Sequence, residues 1–187
     1  MTTGETQTLE HTLLAVIDMQ PGFLKVIPRS DELSRRCAFA ISAAGLLGIP
    51  VAFTEQVPAK LGPTDPELLA LAPDALAFGK DAFGATNDSA FAGELSKREI
   101  THLMLCGIET PVCVFQTAVG ARSLGLEVTV LSDCIGGRRD GDAAAAVRYL
   151  ATKGCHVLPS ETVFYSVLGS AAHARFRDYT ALVKKFS

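Results

Sequence analysis

The sequence predicts an α/β fold, a three-layer α/β/α sandwich in which a six-stranded parallel sheet is covered on both faces by helices, and three observations predict it. Short apolar, β-rich runs alternate with longer helix-like stretches, the pattern of strands joined by crossover helices. The first run, Leu13-Leu14-Ala15-Val16-Ile17, is apolar at every position, as burial on both faces demands. A length of 187 residues with 48% hydrophobic and 20% charged content fits one domain, 1–187, able to bury a sizeable core.

The strands are expected at Leu13 to Asp18, Val51 to Thr54, Ala75 to Gly79, His102 to Cys106, Val128 to Leu131 and Cys155 to Leu158. Between them the 3.6-residue periodicity and the capping signals predict helices near Asp31 to Leu47, Ser89 to Arg98, Pro111 to Leu124 and Asp140 to Lys153. Two more are expected at Glu161 to Leu168 and His173 to Lys184. The stretches Val57 to Pro66 and Gly136 to Gly141 are punctuated by Pro and Gly and read as loops inside one domain, not linkers.

A net charge of -3, with no run of Lys or Arg, leaves no electrostatic footprint for nucleic acid or an anionic membrane. The expected ligand is a small molecule. No apolar stretch approaches the roughly 20 residues that span a bilayer, and Met1 to Glu10 is polar, so the expectation is an unsecreted, cytoplasmic protein. Five scattered cysteines, Cys37, Cys106, Cys113, Cys134 and Cys155, have neither zinc-site spacing nor disulfide density and read as reduced thiols.

In open α/β sheets ligands sit at the carboxyl ends of strands, where the strand order reverses. Asp18 ends the first strand and precedes the turn-rich Met19-Gln20-Pro21-Gly22-Phe23; taken alone it reads as an Asx-turn or loop cap before it reads as a catalytic group. Cys113 follows the fourth strand, with Thr110 available as N-cap and Pro111 suited to the first helical position. A cysteine in a helix's first turn has unpaired N–H groups and the helix dipole to stabilise a thiolate and an oxyanion. The competing reading is a buried small hydrophobe. None of the four histidines falls at a strand's carboxyl end, so a base for Cys113 must be a carboxylate, and Asp18 is the best placed. Lys80 ends the third strand; alone it reads as a solvated charge, but beside a carboxylate and a thiolate it would stabilise both.

Three segments, Leu14 to Phe23, Phe78 to Phe83 and Cys106 to Ala118, together resemble the isochorismatase-like cysteine hydrolases in order and spacing. The resemblance extends from Leu13 to Phe186 and implies strand order 3-2-1-4-5-6, an Asp18–Lys80–Cys113 triad, a non-proline cis peptide between Ile108 and Glu109, and oxyanion donors at the Glu109 and Cys113 amides. Nicotinamidases of that superfamily carry an Asp and two His as metal ligands after the second strand, where this chain reads Phe53-Thr54-Glu55-Gln56-Val57-Pro58-Ala59-Lys60; no metal or other cofactor is expected. Isochorismatases proper cleave a vinyl ether without a cysteine, so Cys113 implies hydrolysis of an amide or related C–N bond through a thioester. Flanking stretches look most like the isochorismatase-domain-containing subgroup, and the superfamily commonly forms homo-oligomers.

Phe23, Phe83 and Val112 are expected as apolar pocket walls, with Gln56 and Thr110 as polar contacts. Other readings stay open: nicotinamidase- or isochorismatase-type activity, a redox-sensing thiol at Cys113, or a non-catalytic binding member of the fold.

Overall fold

The computed structural model describes residues 9–186; apart from its last two residues, the polar stretch Met1 to Glu10 lies outside them. Six parallel strands form one sheet, β1 (Thr12–Ile17), β2 (Val51–Gln56), β3 (Leu76–Lys80), β4 (His102–Ile108), β5 (Glu127–Gly136) and β6 (His156–Leu158), in the order 3-2-1-4-5-6. Four longer helices join or follow them on the way: α2 (Ser30–Leu46), α5 (Ser89–Lys97), α6 (Phe115–Ser123) and α7 (Asp140–Thr152), with α8 (Ser160–Leu168) and α9 (Phe176–Phe186) closing the chain. The short helices α1 (Pro21–Leu24), α3 (Pro58–Leu61) and α4 (Pro66–Leu69) lie in the loops after β1 and β2.

Because side chains alternate across a strand, the apolar runs feed two cores. Leu14 and Val16 of β1, with Met104 and Cys106 of β4, pack under α2, α8 and α9, where Phe39, Phe164, Tyr179 and Phe186 meet. Leu13, Ala15 and Ile17, with Leu103 and Leu105, pack under α5, α6 and α7 against Phe91, Ala118 and Leu150. Phe39 sits 6.1 Å from Phe164 and 5.9 Å from Tyr179, centroid to centroid, and burying each such ring stabilises the fold by roughly 1.5–3 kcal/mol. The Asp88 carboxylate accepts from Ala90 N and Phe91 N, both at 3.0 Å, which fixes the start of α5.

Three departures from the expected elements have local causes. β5 does not stop at Leu131; it detours and resumes beside β4, so that Leu105 pairs Val130 while Gly107 pairs Ile135. Within the detour the Asp133 carboxylate accepts from Ser160 N (2.7 Å), Ser160 Oγ (2.7 Å) and Arg36 Nη2 (2.6 Å). The helix expected from Pro111 opens instead with a π turn, Thr110–Val114, before α6, and Thr110 is not its side-chain cap. Its hydroxyl donates to Gly136 O on the neighbouring β5 (3.0 Å). The last helix begins at Phe176, not His173, because Ser170 Oγ accepts from Ala172 N and His173 Nδ1 from Arg175 N, local bonds that compete with helical ones.

Gly107 shows why β1 and β4 approach so closely. Its φ is +108°, and a Cβ there would lie 2.2 Å from Ile17 O, so only glycine fits.

Candidate functional site

The strand order reverses between β1 and β4, and the polar residues that end β1, β2, β3 and β4 converge at that switch point. Asp18 follows β1 with φ 50°, in the left-handed region that Asp tolerates; its N–H donates to Thr54 O at 3.0 Å. Gln56 and Lys80 are register partners at the ends of β2 and β3. Cys113 lies in the π turn after β4, reached through the Ile108–Glu109 peptide, which is cis.

These residues form one buried cluster. Lys80 Nζ donates to Asp18 Oδ2 at 2.8 Å, to Gln56 Oε1 at 2.6 Å and to Ala82 O at 3.2 Å. Thr54 Oγ1 donates to Asp18 Oδ1 at 2.7 Å. Both carboxylate oxygens are therefore held, and the buried ion pair has the extra hydrogen bonds that desolvated charges require. Cys113 Sγ lies 4.0 Å from Gln56 Oε1. Gln56 is in turn clamped by Gln20: Gln20 Oε1 accepts from Gln56 N at 2.7 Å, and Gln20 Nε2 donates to Gln56 O at 3.1 Å. Its side-chain Nε2 donates to Asp81 O at 2.8 Å.

The electrostatics of Cys113 depart from the helix-terminus expectation. Burial, followed by the Asp18 charge and a hydrogen bond to Asp18, pushes its thiol up to about 12, against the opposing pull of Lys80 and the Glu109 backbone N–H. The side chain is only 6% exposed, and desolvation disfavours the charged form. Burial and the neighbouring Asp18 carboxylate thus both favour the neutral thiol. Cys37 and Cys134 are also pushed well up; they lie in the core and contact one another, where Cys37 Sγ donates to Cys134 O at 3.3 Å.

A cavity of about 280 Å³ opens onto the sulfur, lined by Asp18, Phe23, Gln56, Phe83, Ile108, Glu109, Val112, Cys113 and Arg138. It is at the small end for ligand pockets. Of the expected contacts, Phe23, Phe83, Val112 and Gln56 line it, with Phe83 53% exposed at the mouth. Thr110 does not: it is fully buried, with its hydroxyl spent on Gly136 O.

Thr54, Gln20 and Arg138 were not anticipated. Thr54 was legible in principle, since it is the last residue of the expected second strand. Arg138 lay in a stretch read only as a Gly-punctuated loop. Among the described residues no group of three or more His, Cys, Asp or Glu could hold a metal ion. After β2, the donors are engaged otherwise: Glu55 Oε1 accepts from Thr64 N at 2.8 Å, and Gln56 Oε1 from Lys80. Among the described residues no helix is long and apolar enough to cross a membrane.

Comparison with known proteins places this geometry among relatives. The isochorismatase domain model matches residues 12–162. Isochorismatase domain-containing protein 2 of Bos taurus is 34% identical over 177 residues, 93% of this chain and 83% of that protein. The structure of MAR1 ribonuclease from Caenorhabditis elegans superposes with a TM-score of 0.88 at 30% identity, covering 94% of this chain and 90% of that one. The YcaC gene product of Escherichia coli, an octameric hydrolase of unknown specificity, superposes with a TM-score of 0.78 at 19% identity, covering 99% and 98%.

Proposed function

The chain belongs to the isochorismatase family of hydrolases, and from that membership we propose that it is a cysteine hydrolase that cleaves a small amide or related C–N bond through a thioester on Cys113. The observation that supports this reading is that Asp18 and Cys113 line one small cavity while Lys80, behind it, donates to the Asp18 carboxylate.

In the acylation step Asp18 takes the Cys113 proton as sulfur attacks the substrate carbonyl, and Lys80 holds the carboxylate in place throughout. The carbonyl oxygen gains the negative charge and meets the Glu109 and Cys113 amides. When the C–N bond breaks, the electron pair stays on nitrogen and the proton on Asp18 passes to it, releasing ammonia or an amine. Water then attacks the thioester, Asp18 accepts its proton, and collapse releases the acid and returns the proton to sulfur. In this sequence Lys80 neutralises the Asp18 carboxylate, and each proton transfer runs through Asp18 without a metal.

A raised thiol pKa suits a nucleophile deprotonated only during attack and disfavours a redox sensor, whose cysteine needs thiolate character and access. The ribonuclease name carried by three of the similar structures is a rival reading, but a net charge of -3 with no run of Lys or Arg gives it no electrostatic support for a polyanion. Self-association is part of the proposal, supported by the octameric relative; a monomeric mass by light scattering at micromolar concentration would refute it.

The reading is tested by intact-protein mass spectrometry after exposure to a panel of small amides. An acyl adduct on Cys113, absent from Cys113→Ala, is expected. Amide turnover that persists in Cys113→Ala overturns the assignment.

A further inference from the structure

One wall of the catalytic cavity carries a cation that the proposed chemistry leaves unused. Arg138, on the segment between β5 and α7, lines the cavity and is 59% exposed, while its partner Glu109 is 15% exposed. Their pairing is one-sided. The Glu109 carboxylate takes Arg138 Nε at 3.0 Å through each oxygen, and Arg138 N at 3.2 Å. Neither Nη group of Arg138 has a protein acceptor among the described residues. A fully matched guanidinium–carboxylate pair uses two parallel N–H···O bonds, whereas here the single Nε–H is shared between both Glu109 oxygens. Nε and the backbone satisfy Glu109, and the two Nη prongs stay available at the cavity.

The rest of the cavity narrows what those prongs can hold. Phe23, Phe83, Ile108 and Val112 give apolar walls, and the reacting thiol sits at the other polar end. The two carboxylates there are already paired, Asp18 with Lys80 and Glu109 with Arg138, and the Arg138 Nη groups are the cationic donors left to meet an anion.

Resting on the reading of this cavity as the hydrolase's substrate pocket, we propose that Arg138 is a specificity-determining residue. Its Nη groups grip a carboxylate on the substrate, at the end remote from the scissile C–N bond. The substrate class is then a short ω-carboxy amide with an apolar stem. Because Glu109 supplies both the clamp on Arg138 and one of the amides facing the reacting carbonyl, the grip also sets where that carbonyl lies.

The test uses the Cys113→Ala protein, so that it does not depend on whether the thiol reacts. Ligand-observed NMR titrations compare succinamate and glutaramate with the uncharged butyramide and valeramide. The acids are expected to bind about tenfold or more tightly, the range of a charge-assisted hydrogen bond to a guanidinium. Adding Arg138→Gln should abolish that preference, whereas Arg139→Gln, which removes a neighbouring exposed cation paired with Asp142, should retain it. Equal binding of acids and amides, or a preference that survives Arg138→Gln, overturns the proposal. A retained preference alongside a missing Cys113 adduct would instead overturn the nucleophile reading and leave the grip standing.

Discussion

Replacing Asp18 with Asn should make Cys113 more reactive towards an alkylating agent while disabling it as a hydrolase. The thiol's midpoint is about 12, so at pH 8 the thiolate fraction is roughly 10⁻⁴, against roughly 0.1 for a thiol at its ordinary value of 9.0. Burial is the first cause and survives the substitution; the Asp18 charge and hydrogen bond come next and are lost. An adjacent charge shifts a pKa by about 1 to 3 units, and here the Lys80 ammonium is left facing the sulfur, which adds to the fall. Each unit gained in thiolate is partly offset by lower nucleophilicity, with a Brønsted slope of about 0.4–0.5. The net expectation is a rise of roughly 3- to 50-fold in the alkylation rate at pH 8. The assay is mass-spectrometric quantification of carbamidomethyl-Cys113 after timed exposure to iodoacetamide from pH 6 to 11, with circular dichroism to confirm folding. An unchanged or slower rate in Asp18→Asn would refute the reasoning, because the carboxylate would then not be what keeps the sulfur protonated.

Three further outcomes follow from the packing and the charges. Gly107→Ala forces φ +108° on a residue with a Cβ 2.2 Å from Ile17 O, and backbone on both sides cannot yield; a loss of at least about 3 kcal/mol in urea unfolding, or insoluble expression, is expected. Gly141→Ala, in the first turn of α7 with nothing within 4 Å of the new Cβ, should instead raise stability by roughly 0.5–1 kcal/mol. Asp133 is pushed up by burial but pulled down further by Ser160 and Arg36, so its folded pKa lies below the ordinary 3.8. That stabilisation is present above the unfolded value and lost as pH falls through the folded one; the stability gap between wild type and Asp133→Asn should be full at pH 7 and shrink below pH 3.8, and a gap independent of pH would count against it.

The residues that define the site were legible because each stands at the end of an apolar strand, where local pattern alone marks a crevice. Asp18 closes a run of five apolar residues, Lys80 ends β3, and Cys113 follows a strand, a Gly and a Thr-Pro pair. The sheet was legible for the same reason. What local pattern could not carry was compensation from far along the chain. Ser132-Asp133-Cys134 breaks an apolar run and reads as the end of a strand, yet Asp133 is satisfied by Arg36 and Ser160, 97 and 27 positions away, so β5 continues.

That single misreading propagates to the site. With β5 continuing, Gly136 O becomes the acceptor for the Thr110 hydroxyl, which removes Thr110 from capping and from the pocket. The segment just beyond β5 then delivers Arg138 to Glu109 and to the cavity wall. The thiol's protonation escaped for a parallel reason. A helix start argues for thiolate, but burial and a neighbouring carboxylate are properties of the assembled switch point, and together they outweigh the terminus. The candidate residues are thus written at strand ends, whereas their protonation, and the selectivity proposed for the cavity, depend on which distant partner satisfies each polar group.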